Sequence, residues 1–272
     1  MIKSIKILDV PIKKVRKEQF LSLVEETIEQ KQKLQIATVN AEFLVEAQKD
    51  QKLFKILQSS FNITDNVGIL WASFFLTCTR AFPKFLRWLP KIILILPTLI
   101  LTLFADWIYK IIPERLAGAD IFWDLIKLAD KNNFNIFLLG AGPNVARQTA
   151  VILKNKFPEL NIVGAEMGDD LEPEILRNKI NQSQTNLLFV AYGAPKQEKW
   201  IKENLGQLNN GLVAIGVGGT FDFVAGRIKR APIWLRKIGL EWLYRLIQEP
   251  KKRFKRIINA VFVFPWLTLI KG

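Results

Sequence analysis

The sequence predicts an α/β fold built on a mainly parallel sheet, and three observations predict it. Residues 34–39, 135–139, 187–191 and 212–217 are short, nearly continuous apolar runs, the pattern of strands buried on both faces. Helical stretches separate several of them, as βαβ units require. The last three run into loops that begin at Gly140, Gly193 and Gly218. In parallel sheets, ligands sit beyond the carboxyl ends of strands.

Composition narrows the chemistry. The 272 residues are 50% hydrophobic and 24% charged, sufficient for a sizeable core and incompatible with bulk disorder. There is no histidine and a single cysteine, Cys78. That excludes histidine acid/base catalysis, histidine-activated nucleophiles and imidazole metal sites. It also excludes a disulfide framework and a cysteine-rich zinc site. Proton transfer falls to Asp, Glu, Lys, Tyr or water. The first twenty residues lack the apolar segment of a signal peptide, so the chain is expected to stay in the cytoplasm.

Taken in order, the chain opens with a short strand over 5–10 and a basic amphipathic helix over about 18–31. Residues 34–39 form a buried strand ending in Thr38, Val39 and Asn40. Helices follow from about Glu42 and near Leu53, and residues 61–64 form a second buried strand that stops at Asp65. Strand 135–139 leads through 140–143 into a helix over about 144–156, and residues 161–165 form the next strand. Loops starting at Asn40, Asp65, Gly140, Gly193 and Gly218 are expected to line one crevice.

Two regions depart from this alternation. Residues 69–112 hold nine of the 30 aromatics, and their longest uncharged run, 92–105, has 14 residues. As a helix that run spans about 21 Å, short of a ~30 Å hydrocarbon core, and Pro97 interrupts it. Trp88, Trp107 and Tyr109 flank it as interfacial anchors do. We read the region as a monotopic or re-entrant membrane element, with a buried core helix as the alternative. The second region is 227–256, where eleven Lys and Arg stand against Glu241 and Glu249. An apolar stretch follows it. Basic beside apolar suits an anionic membrane surface. No nucleic-acid module accompanies the charge, so nucleic acid is not expected as a partner.

Several motifs could carry chemistry. Gly140-Ala-Gly142 follows a strand and opens a helix, so its backbone can approach a phosphate. Glu166, near the end of the next strand, stands where a ribose-binding acid would in a dinucleotide fold. A tight packing turn is the plain alternative. Gly193-Ala-Pro195-Lys196-Gln197-Glu198 is another strand-to-helix turn. Pro195 suits a first helical turn and Glu198 its positive end, while Lys196 and Gln197 could donate to a phosphate or sugar hydroxyl. Gly218, Gly219 and Asp222 follow the last strand, and Asp222 either accepts from a sugar hydroxyl or caps a helix. Asp65, a carboxylate at a strand end, is a natural general base in a chain without histidine, although turn chemistry alone also places Asp there.

Together these pieces resemble a known family. ATVNAEFLVEA, TDNVG, ERLAGAD, IFLLGAGPNVA, YGAPKQEKW, GVGGTFDFVAGRIKRAP and GLEWLYRLIQEPKKRFKR occur in this order. They resemble the bacterial WecG/TagA/CpsF glycosyltransferases over nearly the whole chain except the apolar insert and the last dozen residues.

The resemblance implies a Rossmann-like α/β/α catalytic domain, 1–226, and the apolar region at about 72–112, which it does not cover, reads as a membrane-associating insertion in that domain. The resemblance also implies a basic, membrane-associating C-terminal appendage, 227–272. The implied activity is a metal-independent, inverting transfer of an N-acetylmannosamine-type sugar from a UDP-sugar to polyprenyl-diphosphate-linked N-acetylglucosamine, without a cofactor. N-acetylmannosamine, its uronic acid and glucose-type donors all occur among relatives. Surface polysaccharide or teichoic-acid synthesis at the cytoplasmic face of the membrane is the implied setting, by a monomer or a soluble dimer or trimer.

By the same resemblance, Asp65 is the base for the acceptor hydroxyl, with Thr38 and Asn40 beside it. Arg115 contacts donor phosphate, Gly140 and Gly142 form the nucleotide-side loop, and Gln197 and Glu198 belong to the PKQE turn. Arg230, Arg236, Arg245 and Arg253 lie where the family has arginines for the diphosphate. Two departures stand out: Asn66 replaces the usual glycine after Asp65, and 50 positions separate Asp65 from Arg115, roughly thirty more than the family usually has. The rival readings are a nicotinamide-dependent oxidoreductase, resting on GAGPNVA and Glu166, and an inactive membrane scaffold of the same fold.

Overall fold

A computed structural model describes residues 2–64, 66–83, 93, 109–168, 171–233, 235 and 241–271, with Lys252 described through its backbone alone. Asp65, Arg236 and nearly all of the apolar stretch 84–108 lie outside the described residues. The membrane-element reading of that stretch is therefore an expectation about residues outside the description.

The amino terminus is a hairpin, β1 (Ser4–Ile7) and β2 (Val10–Lys13), paired antiparallel. This corrects the single strand expected over 5–10. Leu8 and Asp9 both take positive φ, 48° and 63°, the geometry of a two-residue hairpin turn. Helix α1 (Lys17–Glu29) follows. It carries Glu18, Glu25, Glu26 and Glu29 against Lys17, so it is acidic and not basic, and it buries Phe20, Val24 and Ile28.

The body alternates strands and helices: β3 (Lys33–Val39), α2 (Ala41–Ala47), α3 (Gln51–Ser59), β4 (Phe61–Thr64), α4 (Val67–Arg80), α5 (Gly118–Asn132), β5 (Ile136–Gly140), α6 (Val145–Lys156), β6 (Ile162–Glu166), α7 (Pro173–Gln182), β7 (Leu187–Ala191), α8 (Lys196–Asn204), β8 (Leu212–Gly216) and α9 (Thr220–Val224). The basic segment continues as α10 (Glu241–Gln248) and α11 (Pro250–Ile258). A π-helical turn (Asn259–Val263) leads from it into α12 (Phe264–Lys271).

Six strands form one parallel sheet in the order β4-β3-β8-β7-β5-β6. Alternate side chains face opposite layers. Leu187 and Phe189 join the cluster under α1, α5 and α6, whereas Leu188 and Val190 join the cluster under α7 and α8. Burial on both faces explains why β5, β7 and β8 are unbroken apolar runs. The arrangement is an α/β/α sandwich of Rossmann type.

A further cluster joins the hairpin, α2 and α4. Trp71, Phe75 and Leu76 of α4 are core residues there, as is Ile112. The described ends of the apolar region are thus packed interior, in line with the core-helix alternative for those residues. Phe264 of α12 belongs to the same cluster. Among the described residues, no helix is long and apolar enough to cross a membrane.

Candidate active site

Because all six strands run parallel, their carboxyl ends share one edge. Along it stand Thr64, Asn40, the loop at Gly218, the loop at Gly193, Gly140 and Glu166, in sheet order. β3 and β8 are adjacent at its centre, with Ile36 opposite Ile215. The carboxyl edge of a parallel sheet is where such folds bind ligands. The described loops expected to line one crevice all leave the sheet at this edge.

Thr38 closes the centre. Its hydroxyl donates to the Gly216 carbonyl at 3.2 Å, and the start of α5 packs on it so closely that a Cβ at Gly118 would lie 3.3 Å from Thr38 Cγ2. Asn40 caps α2, its Oδ1 accepting from Phe43 N–H at 2.8 Å. Asn66 caps α4, accepting from Gly68 N–H at 2.7 Å. Capping with Asn satisfies otherwise orphaned helix donors. Arg115 is brought beside the end of β4, because the next residue, Leu116, donates its N–H to the Thr64 carbonyl at 2.8 Å.

The PKQE turn is a brace. Gln197 Oε1 accepts from Gly193 N–H at 3.1 Å and from Gly218 N–H at 3.0 Å. One side chain thereby ties the loop after β7 to the loop after β8. Its Nε2 donates to Glu198 Oε1 at 2.8 Å. Both side chains are buried, and burial pushes the Glu198 carboxyl up to about 7 against the lowering effect of the Gln197 hydrogen bond. Room for the pair exists because Gly216 lacks a side chain: a Cβ there would fall 2.4 Å from Gln197 Nε2. With its amide committed to loops, Gln197 shapes the crevice from beneath. Lys196 is exposed, its Nζ 4.8 Å from the centre of the Tyr192 ring. Pro195 precedes α8 at the N-cap position.

Gly140 sits at φ 102°, a conformation open to glycine, and a Cβ there would meet the Ala191 carbonyl carbon at 2.9 Å. Gly142 faces Arg227, whose Nη2 donates to the Pro143 carbonyl at 2.8 Å. Gly219, not Asp222, occupies the N-cap of α9, so the capping alternative for Asp222 falls away. Glu166 accepts from Lys179 at 2.9 Å and lies 3.8 Å from Arg147. Both partners are partly exposed, so these are surface ion pairs.

The basic segment folds back over this edge. Arg230 donates to Asp120 of α5 at 2.6 Å. Arg245 pairs with Glu241 at 2.7 Å and lies 4.6 Å from the Phe223 ring centre. Arg253 pairs with Glu249 at 3.0 Å, and burial, then the neighbouring Arg245, holds its pKa below the usual guanidinium range. Each of these three arginines thus has a carboxylate partner. Sequence reasoning passed over Arg227, Asp120 and the pairing of Arg256 with Glu42. Arg227 carried a legible signal, standing three residues before Arg230.

Comparison with known proteins finds a family match that spans the whole of this edge's sequence. The profile of the glycosyl transferase WecG/TagA/CpsF family matches residues 5–84 and 80–272. A Bacillus subtilis (strain 168) protein named N-acetylglucosaminyldiphosphoundecaprenol N-acetyl-beta-D-mannosaminyltransferase is 33% identical over 233 residues, 85% of this chain and 78% of the relative.

Proposed function

Because the chain belongs to the WecG/TagA/CpsF family of glycosyltransferases, we propose that it moves an N-acetylmannosamine-type sugar from UDP to a polyprenyl-diphosphate-linked N-acetylglucosamine. The observation that carries the acceptor and the sugar is the name of the Bacillus subtilis relative, matched over 85% of this chain. Family membership replaces the oxidoreductase reading.

In this proposal the reaction is a single displacement without metal. Asp65 takes the proton of an acceptor hydroxyl, and the freed oxygen bonds to the anomeric carbon from the face opposite the diphosphate. The bond from that carbon to the diphosphate oxygen breaks, and UDP leaves. Thr38 and Asn40 border the reacting edge. The loops at Gly140, Gly142 and Gly219 offer backbone N–H groups to the nucleotide, while Gln197 holds the loops at Gly193 and Gly218 in place beside them. Arg115 meets donor phosphate. Arg230, Arg245 and Arg253, with Arg236, offset the charge of the diphosphates. Preorganised cations and N–H groups supply the electrostatic stabilisation that such a leaving group needs.

The acceptor's lipid tail gives the basic appendage its purpose. Lys251 and Lys255 are exposed beside Phe254, Phe262 and Trp266, which are 63%, 68% and 61% exposed. Cations interleaved with large apolar side chains suit an anionic bilayer surface. The proposal is tested by isolating the lipid product after incubation with UDP-N-acetylmannosamine. A mass gain of one N-acetylhexosamine on the acceptor supports it; an unmodified acceptor beside folded protein opposes it.

A further inference from the structure

The appendage does more than carry arginines. α12 has two faces. Phe262, Trp266 and Ile270 are exposed, while Phe264 and Thr268 are fully buried. Phe264 meets Trp71 of α4 edge to face at 6.4 Å between ring centres. Its ring closes a junction where the first turns of α2 and α4 touch. A Cβ at Gly68 would lie 3.5 Å from Ala41 Cβ and 3.8 Å from Phe264 Cε1. Those two first turns are the ones capped by Asn40 and Asn66. Two polar struts accompany the ring. Arg256 Nε lies 2.8 and 2.7 Å from the two Glu42 oxygens at the start of α2, and Lys271 donates to Gln48 at its end at 2.9 Å.

We propose that Phe264, seated by the Arg256–Glu42 pair, is a positioning residue. It sets the relation between the helix starts that follow Asn40 and Asp65, so turnover depends on how α12 is docked. This rests on the glycosyltransfer reading of the edge. The physical ground is that reacting groups tolerate little misplacement: about 1 Å from a remote change can cost about 100-fold in rate. Removing a buried ring leaves a space into which two abutting helices shift. Because Phe262 and Trp266 lie on the opposite face of the same short segment, membrane docking and site geometry share one element.

The test uses the full chain and a short-prenyl, detergent-free acceptor, which makes membrane binding irrelevant to the rate. Phe264→Ala is expected to lower kcat about 10-fold to 100-fold with UDP affinity unchanged, and Phe264→Leu to recover most of the loss. Amide hydrogen exchange is expected to rise in 41–47 and 67–73 and to stay as in the parent in the strands at 136–140 and 187–191. Unchanged kcat in folded Phe264→Ala, or exchange raised equally throughout, overturns the proposal. Should Phe264→Ala not fold, Arg256→Gln is read by the same two criteria. A parent protein without acceptor-dependent turnover contradicts the glycosyltransfer reading, and the exchange pattern still decides whether the brace exists.

Discussion

Gln197 Nε2 donates to Glu198 Oε1 at 2.8 Å, and both residues are buried. Two consecutive buried polar residues on a surface helix are unusual. They are accommodated because the same glutamine serves the loops after β7 and β8, and because Gly216 yields the space.

Gln197→Leu should therefore leave the part-buried Gly193 and Gly218 N–H groups without their acceptor, at about 0.5–1.5 kcal/mol for each. UDP binding should weaken as the two loops lose their tie. Gly216→Ala should cost about 1–3 kcal/mol by overpacking the same place. Urea unfolding and UDP titration read both; a Gln197→Leu protein with the parent midpoint and affinity would remove the brace from the account.

Glu198 gives the fold a pH signature. Its carboxyl is raised from 4.5 to about 7 in the folded state, so between those values the native protein holds a proton that the unfolded chain has released. Stability from this group is fully present below pH 4.5, falls as pH rises through 7, and is level above. Glu198→Gln should flatten that fall, with urea midpoints measured across the interval. An unaltered profile in the variant would place the titration elsewhere.

Asp65→Asn should keep the fold and lose about 10²–10⁴ in turnover, the usual contribution of a general base. Rates measured with saturating donor and acceptor, beside matched unfolding curves, check it. Parent-level turnover would take the base role from Asp65.

Much of the sheet was legible because its strands are buried on both faces. Residues 34–39, 187–191 and 212–217 could be read as strands from apolar continuity alone, and their carboxyl ends identified the working edge. The hairpin was missed because Leu8-Asp9 carries no glycine, although both residues adopt positive φ. The order β4-β3-β8-β7-β5-β6 comes from long-range pairing that no local pattern encodes. Gln197 looked like a surface donor because a sequence shows its helix position but not the glycine facing it. Phe264 and Trp266 lie two positions apart in one apolar run, and only tertiary packing separates the buried ring from the exposed one.

Substituting the exposed lysines Lys251 and Lys255 together by Gln should weaken association with anionic vesicles by about 2 kcal/mol, roughly 30-fold at low salt. The difference should shrink as salt screens the surface. These positions test charge more cleanly than deleting the segment, since deletion would also strip Phe264 from the core. Equal co-sedimentation of parent and variant at low salt would argue against an electrostatic bilayer contact.

The most direct measurement is UDP release from a panel of UDP-sugars in excess chelator, with and without a polyprenyl-diphosphate N-acetylglucosamine acceptor. The account predicts acceptor-dependent release from an N-acetylmannosamine-type donor, undiminished by the chelator. Release that disappears with the chelator and returns with a divalent cation, or acceptor-dependent release from a different donor alone, would contradict it.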